Sequence, residues 1–189
     1  MNYYAHVKNN IYEVDVLNPS EEKTAQLQKF VKLFEKKPEA GLLKPAVKAS
    51  TKNGLVSLKA GNTTWEEDLP PSLGGENTTI GPLQHLLGSL AGCAAGLIKN
   101  TLAPLTGTSV NSVDVDARCE FDVGGVLGVG DATGDIENVS LTVTINSDDN
   151  QDKIEKLLEI WKQRAPVYLC FQKPVQISTT LILKKIEKE

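Results

Sequence analysis

From residue 112 onward the chain alternates. Val113, Val115, Ala117, Cys119 and Phe121 are apolar, and Asp114, Asp116, Arg118, Glu120 and Asp122 stand between them. A period of two over ten residues predicts a half-buried antiparallel strand. Val139, Leu141, Val143 and Ile145 repeat the pattern after a glycine-rich connection, GGVLGVGDATGD. In DKIEKLLEIWKQR the period lengthens, and Ile154, Leu157, Leu158 and Trp161 recur at helical spacing. After Pro166 and Pro174, the stretch Val175 to Leu183 reads as a last strand.

The first half has shorter elements. AVKAS and LVSLKA are strand-like runs joined by Lys52-Asn53-Gly54, and an Asn-Gly pair between such runs is the strongest short-range hairpin signal. A third run ends near Trp65, and residues 69–82, LPPSLGGENTTIGP, form a turn-rich loop. A long helix is predicted from Pro82, a good first-turn residue, to about Ala103, with Pro104 and Gly107 ending it. Upstream, Ser20 is placed as an N-cap before EEKTAQLQKFVKLFEKK, whose Leu27, Phe30, Val31 and Phe34 share one face until Pro38 stops the helix. Residues 1–43 thus read as a short strand, a turn at Asn18-Pro19 and an amphipathic helix. That is an N-terminal extension too small to bury a core, attached to a domain at 44–189. Strands pair as hairpins and helices come singly, so the class is α+β and not doubly wound.

Composition narrows the function. At 189 residues, 40% apolar and 23% charged, the chain suits one ordinary domain and neither a disordered nor a fibrous protein. Twenty basic against 24 acidic residues, with no basic cluster, leaves no nucleic-acid footprint. The start, MNYYAHVKNNIYEV, lacks the apolar core of a signal peptide, and no run of about 18 apolar residues predicts a membrane span. Cys93, Cys119 and Cys170 are odd in number and widely spaced, which argues against a disulfide framework and against a structural metal. Glycines 124, 125, 128 and 130 contain no GxGxxG, which argues against a dinucleotide cofactor. The expectation is a cytoplasmic protein with reduced thiols, no metal and no cofactor.

The central helix is the informative element. Leu83, Leu86, Leu87, Leu90, Ala94, Leu97 and Ile98 make an apolar stripe, and Gly88, Gly92 and Gly96 form a ridge on the other side beside Ser89. Each glycine costs roughly 1 kcal/mol in a helix interior. A ridge of three is explained by close approach of a second backbone, either this helix in another copy across a twofold axis or a sheet of the same chain. Cys93 lies between stripe and ridge, where it is either a small apolar filler or a thiol at an interface. His85 is eight residues earlier, roughly 12 Å along one helix, too far to activate Cys93 within the chain, and reads as a surface histidine. Cys119 shares its strand's apolar face and reads as core; Cys170, in APVYLCFQKP, stays open.

PPSLGGENTTIGPLQHLLGSLAGC followed by a long helix resembles the OsmC/Ohr family, as does RAPVYLCFQKPVQI further on. The resemblance spans roughly residues 44 to 185. It implies an OsmC-like swapped α+β homodimer, with antiparallel sheets wrapped around long central helices and a site at the dimer interface. It also implies a reaction in which a thiolate, here Cys93, attacks a small organic hydroperoxide, and a second cysteine resolves the sulfenic acid.

The remaining family positions differ. The resolving cysteine falls on Ala165, and the glutamate of the hydroperoxide-resistance branch falls on Leu83, with Gln84 beside it. That branch takes an arginine from its N-terminal hairpin, but the only arginines here are Arg118 and Arg164, so one of these or Lys52 would have to substitute. A free thiol near pKa 8.5 is only a few per cent ionised at neutral pH. Lowering it to about 6 takes some 3 kcal/mol, and lysine is a poorer fixed partner than arginine. Two readings follow. One is a thiol peroxidase of the oxidative-stress response, resolved by Cys170 or an external thiol. The other is a non-catalytic protein binding an apolar or electrophilic small molecule in the same pocket. Because five extended residues span up to about 17 Å, the sequence places Cys170 out of disulfide reach of a site at Ala165.

Overall fold

Asn53 and Gly54 both take positive φ, 52° and 83°, the type I′ geometry that lets a two-residue turn follow the twist of its strands. The computed structural model describes residues 19–184, and this turn joins β1 (Lys48–Lys52) to β2 (Leu55–Ala60) with Lys52 opposite Leu55. A second turn leads into β3 (Thr63–Glu67), which completes a three-stranded antiparallel sheet in the order β1-β2-β3. After the loop comes α2 (Pro82–Leu97), with Gly81 as its N-cap.

The expected stop at Pro104 does not occur. A π-helical turn at Ile98–Leu102 carries the chain past it, with the Ala103 N–H bonding to the Ile98 carbonyl. Pro104 then sits in the first turn of α3 (Ala103–Thr106), where a missing N–H removes no bond. Gly107, at φ 63°, ends the run. From Pro82 to Thr106 the helix is long and apolar enough to cross a membrane by length and composition. Its Leu90, Ala94, Ile98 and Leu102 are buried in the core.

β4 (Ser112–Phe121) and β5 (Ile136–Asn146) form a separate antiparallel pair, with Val115 opposite Val143. The short helix α4 (Val123–Val126), capped by Asp122, lies between them. A bulge follows Arg118, where Asn138 takes φ 49°. The inner positions Val113, Val115, Leu141, Val143 and Ile145 pack on a core made from the long helix and α5 (Gln151–Arg164). Burying a leucine-sized side chain stabilises the fold by about 2 kcal/mol. Trp161, Leu157, Leu90 and Ile98, each under 2% or at 2% exposure, are the largest such contributors.

Two expectations are corrected. The chain between Ala165 and Cys170 is not extended: residues Pro166–Gln172 form a helix, α6. Nor is Val175 to Leu183 a strand. It has no regular structure, and Val175, Ile177, Leu181 and Leu183 are 62–88% exposed. The residues are those of a strand, but among the described residues no strand pairs with them to complete the ladder.

The chain divides into two units with the boundary between Leu42 and Leu43. The first holds α1 (Pro19–Lys36) and a 3₁₀ turn at Pro38–Gly41. Ser20 falls inside the helix and not at its cap. Phe30 and Phe34 stack with centroids 5.9 Å apart, and the Phe34 ring lies against Gly41. The short strand expected before Asn18 lies outside the described residues.

Candidate functional site

The apolar stripe turns only part of α2 inward. Leu90, Ala94 and Ile98 are buried, whereas Leu86 is 38% exposed. Gly88 and Gly92 are exposed, Gly96 half-buried, and a Cβ added at any of the three would meet nothing within 4 Å. Among the described residues no sheet covers the ridge. Cys93, between ridge and stripe, is a half-buried free thiol packed against the core that contains Ala94, Trp161 and Ala165.

α6 supplies the other wall. Ala165 ends α5 and caps α6 with φ −78° and ψ 111°, so the chain turns sharply between two helices, and Pro166 fits the first turn of the second. The fold-back sets Tyr168 against Trp161 with ring centroids 4.8 Å apart and planes at 50°. Ala165 is fully buried, and Tyr168 packs on the core that Cys93 also touches. The environment of Cys93 is therefore largely apolar. The cavities of about 340, 280 and 180 Å³ elsewhere in the chain are not lined by it.

Cys170 is exposed on α6, while Ala165 and Tyr168 of the same segment face the core. Because α6 is helical, five residues advance about 7.5 Å and not 17 Å. Helical facing, not chain length, is what directs Cys170 away. Cys119 is half-buried on the inner face of β4, outside the core cluster.

The other candidates lie apart. Arg118 is exposed and forks onto Asp116 of its own strand at 2.7 and 3.0 Å. That contact holds Asp116 below the usual carboxylate range and raises Arg118 above the usual guanidinium value. Arg164 is exposed in the last turn of α5, next to Ala165, and makes no ion pair among the described residues. Gln84 folds back over Gly81, its Oε1 2.9 Å from where a Cβ would stand, the third-residue position of a capping box. Lys99 is turned to the Val110 carbonyl.

A polar cluster that sequence reasoning missed sits at the start of α2. His85 Nδ1 lies 2.5 Å from Glu67 Oε1, and Trp65 meets the imidazole edge-on at 6.4 Å. Glu67 is 7% exposed, and His85, whose side chain is 31% exposed, is partly exposed and paired with it. Next to it, Asp68, 3% exposed, accepts from the Thr78 N–H at 2.8 Å, the Thr78 hydroxyl at 2.9 Å and the Glu76 N–H at 3.2 Å. These bonds, the Thr78 N–H foremost, hold its carboxyl below the usual range. The loop closes so tightly that a Cβ on Gly75 would stand 1.9 Å from the Leu69 carbonyl oxygen. The run Glu66-Glu67-Asp68 at a strand end, facing N–H donors of a Gly-Gly loop, was the available signal.

The model of the family described as OsmC-like protein matches residues 75–180. No curated protein matches the sequence significantly. Solved structures share the fold at low identity. An OsmC-like protein from Mycoplasma pneumoniae is 18% identical with a TM-score of 0.58, over 70% of this chain and 89% of that one. An organic hydroperoxide resistance protein OsmC from Legionella pneumophila is 19% identical with a TM-score of 0.55, over 70% and 91%. An organic hydroperoxide resistance protein from Elizabethkingia anophelis is 18% identical with a TM-score of 0.54, again over 70% and 91%.

Proposed function

Because this chain belongs to the OsmC-like protein family, we propose that it is a cytoplasmic thiol-dependent redox protein reducing small organic hydroperoxides through Cys93. The observation that carries the reading is a half-buried free thiol midway along α2, packed against the buried core, within the matched stretch. The thiolate attacks the terminal peroxide oxygen, the O–O bond breaks, and the products are a Cys93 sulfenic acid and an alcohol. With alanine at 165 and Cys170 turned outward, an external thiol completes the cycle. It condenses with the sulfenic acid to a mixed disulfide and water, and a second thiol then releases Cys93.

The working unit is a homodimer. The uncovered ridge of Gly88, Gly92 and Gly96 supports it, as do the unpaired apolar residues between Val175 and Leu183. A second copy would cover both. Residues 44–189 form the OsmC-like domain, and 1–43 are an extension to it.

One observation favours the second reading, a non-catalytic binder of apolar or electrophilic small molecules. Among the described residues Lys99 is committed to the Val110 carbonyl and Arg118 to Asp116, and the Cys93 wall is apolar. Thiol-coupled consumption of tert-butyl hydroperoxide by the purified protein separates the two. Turnover that disappears in Cys93→Ser establishes the peroxidase. Saturable binding of an apolar ligand with no turnover establishes the binder.

A further inference from the structure

α1 carries an apolar arc edged by lysine. At about 100° per residue, Leu27, Phe30, Val31, Leu33 and Phe34 share one side of the helix, and Lys29 and Lys36 border it beside Leu33. Phe30 is 46% exposed, Val31 42%, and Leu33 and Phe34 39% each, so four large apolar side chains lie open together among the described residues. Single exposed apolar residues are ordinary, but a contiguous set on one helix face calls for a partner. The same character continues past Gly41, where Leu42, Leu43 and Val47 are also exposed.

Charge and composition indicate what that partner is. From Lys23 to Phe34 there are three lysines and no carboxylate, and residues 19–48 hold seven lysines and four glutamates in a chain whose net charge is −4. Protein interfaces favour arginine, tyrosine, tryptophan and methionine and are depleted in lysine. α1 has none of the first four. Phenylalanine and leucine backed by lysine are instead the composition of a helix lying in the boundary of a bilayer. There the lysine stems run along the apolar arc and lift their ammonium groups to the headgroups. We propose that α1 is a peripheral anchor that lays Phe30, Val31, Leu33 and Phe34 into an anionic lipid surface, with Lys29 and Lys36 on the headgroups. Such an anchor lies on the membrane without spanning it, and it is independent of the peroxidase reading.

The test is co-sedimentation of the full chain with vesicles of phosphatidylcholine alone and with vesicles holding about 30% phosphatidylserine. The wild type should pellet with the anionic vesicles and not with the neutral ones. Salt at about 1 M, where the screening length falls to about 3 Å, should release most of it. Lys29→Gln combined with Lys36→Gln should weaken binding roughly thirtyfold. Phe30→Gln combined with Phe34→Gln should abolish it, with circular dichroism and oligomeric state unchanged. Equal binding to both kinds of vesicle, or to neither, overturns the proposal, as does a lysine pair variant that binds like the wild type. A phenylalanine pair variant that still binds also overturns it. So does one that changes the oligomeric state, which would assign the face to a second copy of the chain.

Discussion

The two ends of the same helix differ in how their polar groups are settled. At the start of α2, Glu67 meets His85, and Asp68 takes three donors from Glu76 and Thr78. Eleven residues after Pro82, at Cys93, the thiol is free and packs against an apolar core, in which the Trp161 indole N–H has no partner among the described residues. Buried polar groups that are fully bonded stabilise a fold, whereas those left open are costly unless something else binds them. The first region reads as a clamp that fixes the hairpin and loop on the helix. The second reads as the place where a ligand or oxidant is received.

The sharpest way to break that contrast is to remove the sulfur. Cys93→Ser should reduce hydroperoxide consumption to the uncatalysed background while leaving the circular dichroism of the protein unchanged. Retained consumption would move the chemistry elsewhere. Next, Gly92→Leu puts a large side chain on the uncovered ridge and should weaken self-association by on the order of a hundredfold or more, read by sedimentation at micromolar concentration. A wild type already monomeric there would sink the dimer.

At the clamp, Gly75→Ala drives a methyl group into the Leu69 carbonyl. It should cost about 3 kcal/mol and lower Tm by roughly 6–12 °C, with the intrinsic reactivity of Cys93 retained below the melt. The smallest effect is one of pH. The folded Asp68 carboxyl titrates below its ordinary value of 3.8. Its stabilisation is therefore fully present above pH 3.8 and is lost as pH falls through the lower folded value. Amide exchange at Glu76 and Thr78 should rise in that acidic window alone, and Asp68→Asn should abolish the dependence.

The strands, the long helix and the hairpin were legible because each carries its own period or turn residue: alternation in β4 and β5, Asn53-Gly54 in the turn, leucine spacing in α2. What was not legible depended on contacts distant in sequence. Pro104 looks like a helix stop until a π turn accommodates it. APVYLCFQ reads as extended chain, whereas Ala165 caps and Pro166 starts α6. Val175 to Leu183 has the residues of a strand, but no strand among the described residues pairs with it. Cys93 could be singled out only by resemblance, since its periodicity suits a filler equally well. Glu67 and His85 are eighteen residues apart, and no local pattern links them.

The central claim is that Cys93, and neither Cys119 nor Cys170, is the thiol that meets the oxidant. Treating the full chain with one equivalent of organic hydroperoxide in the presence of a sulfenic-acid trap, then mapping peptides under non-reducing conditions, tests it directly. The account predicts trapped sulfenic acid on Cys93, unmodified Cys119, and no dominant Cys93–Cys170 linked peptide. An unmodified Cys93 beside oxidised Cys119 or Cys170 would contradict it.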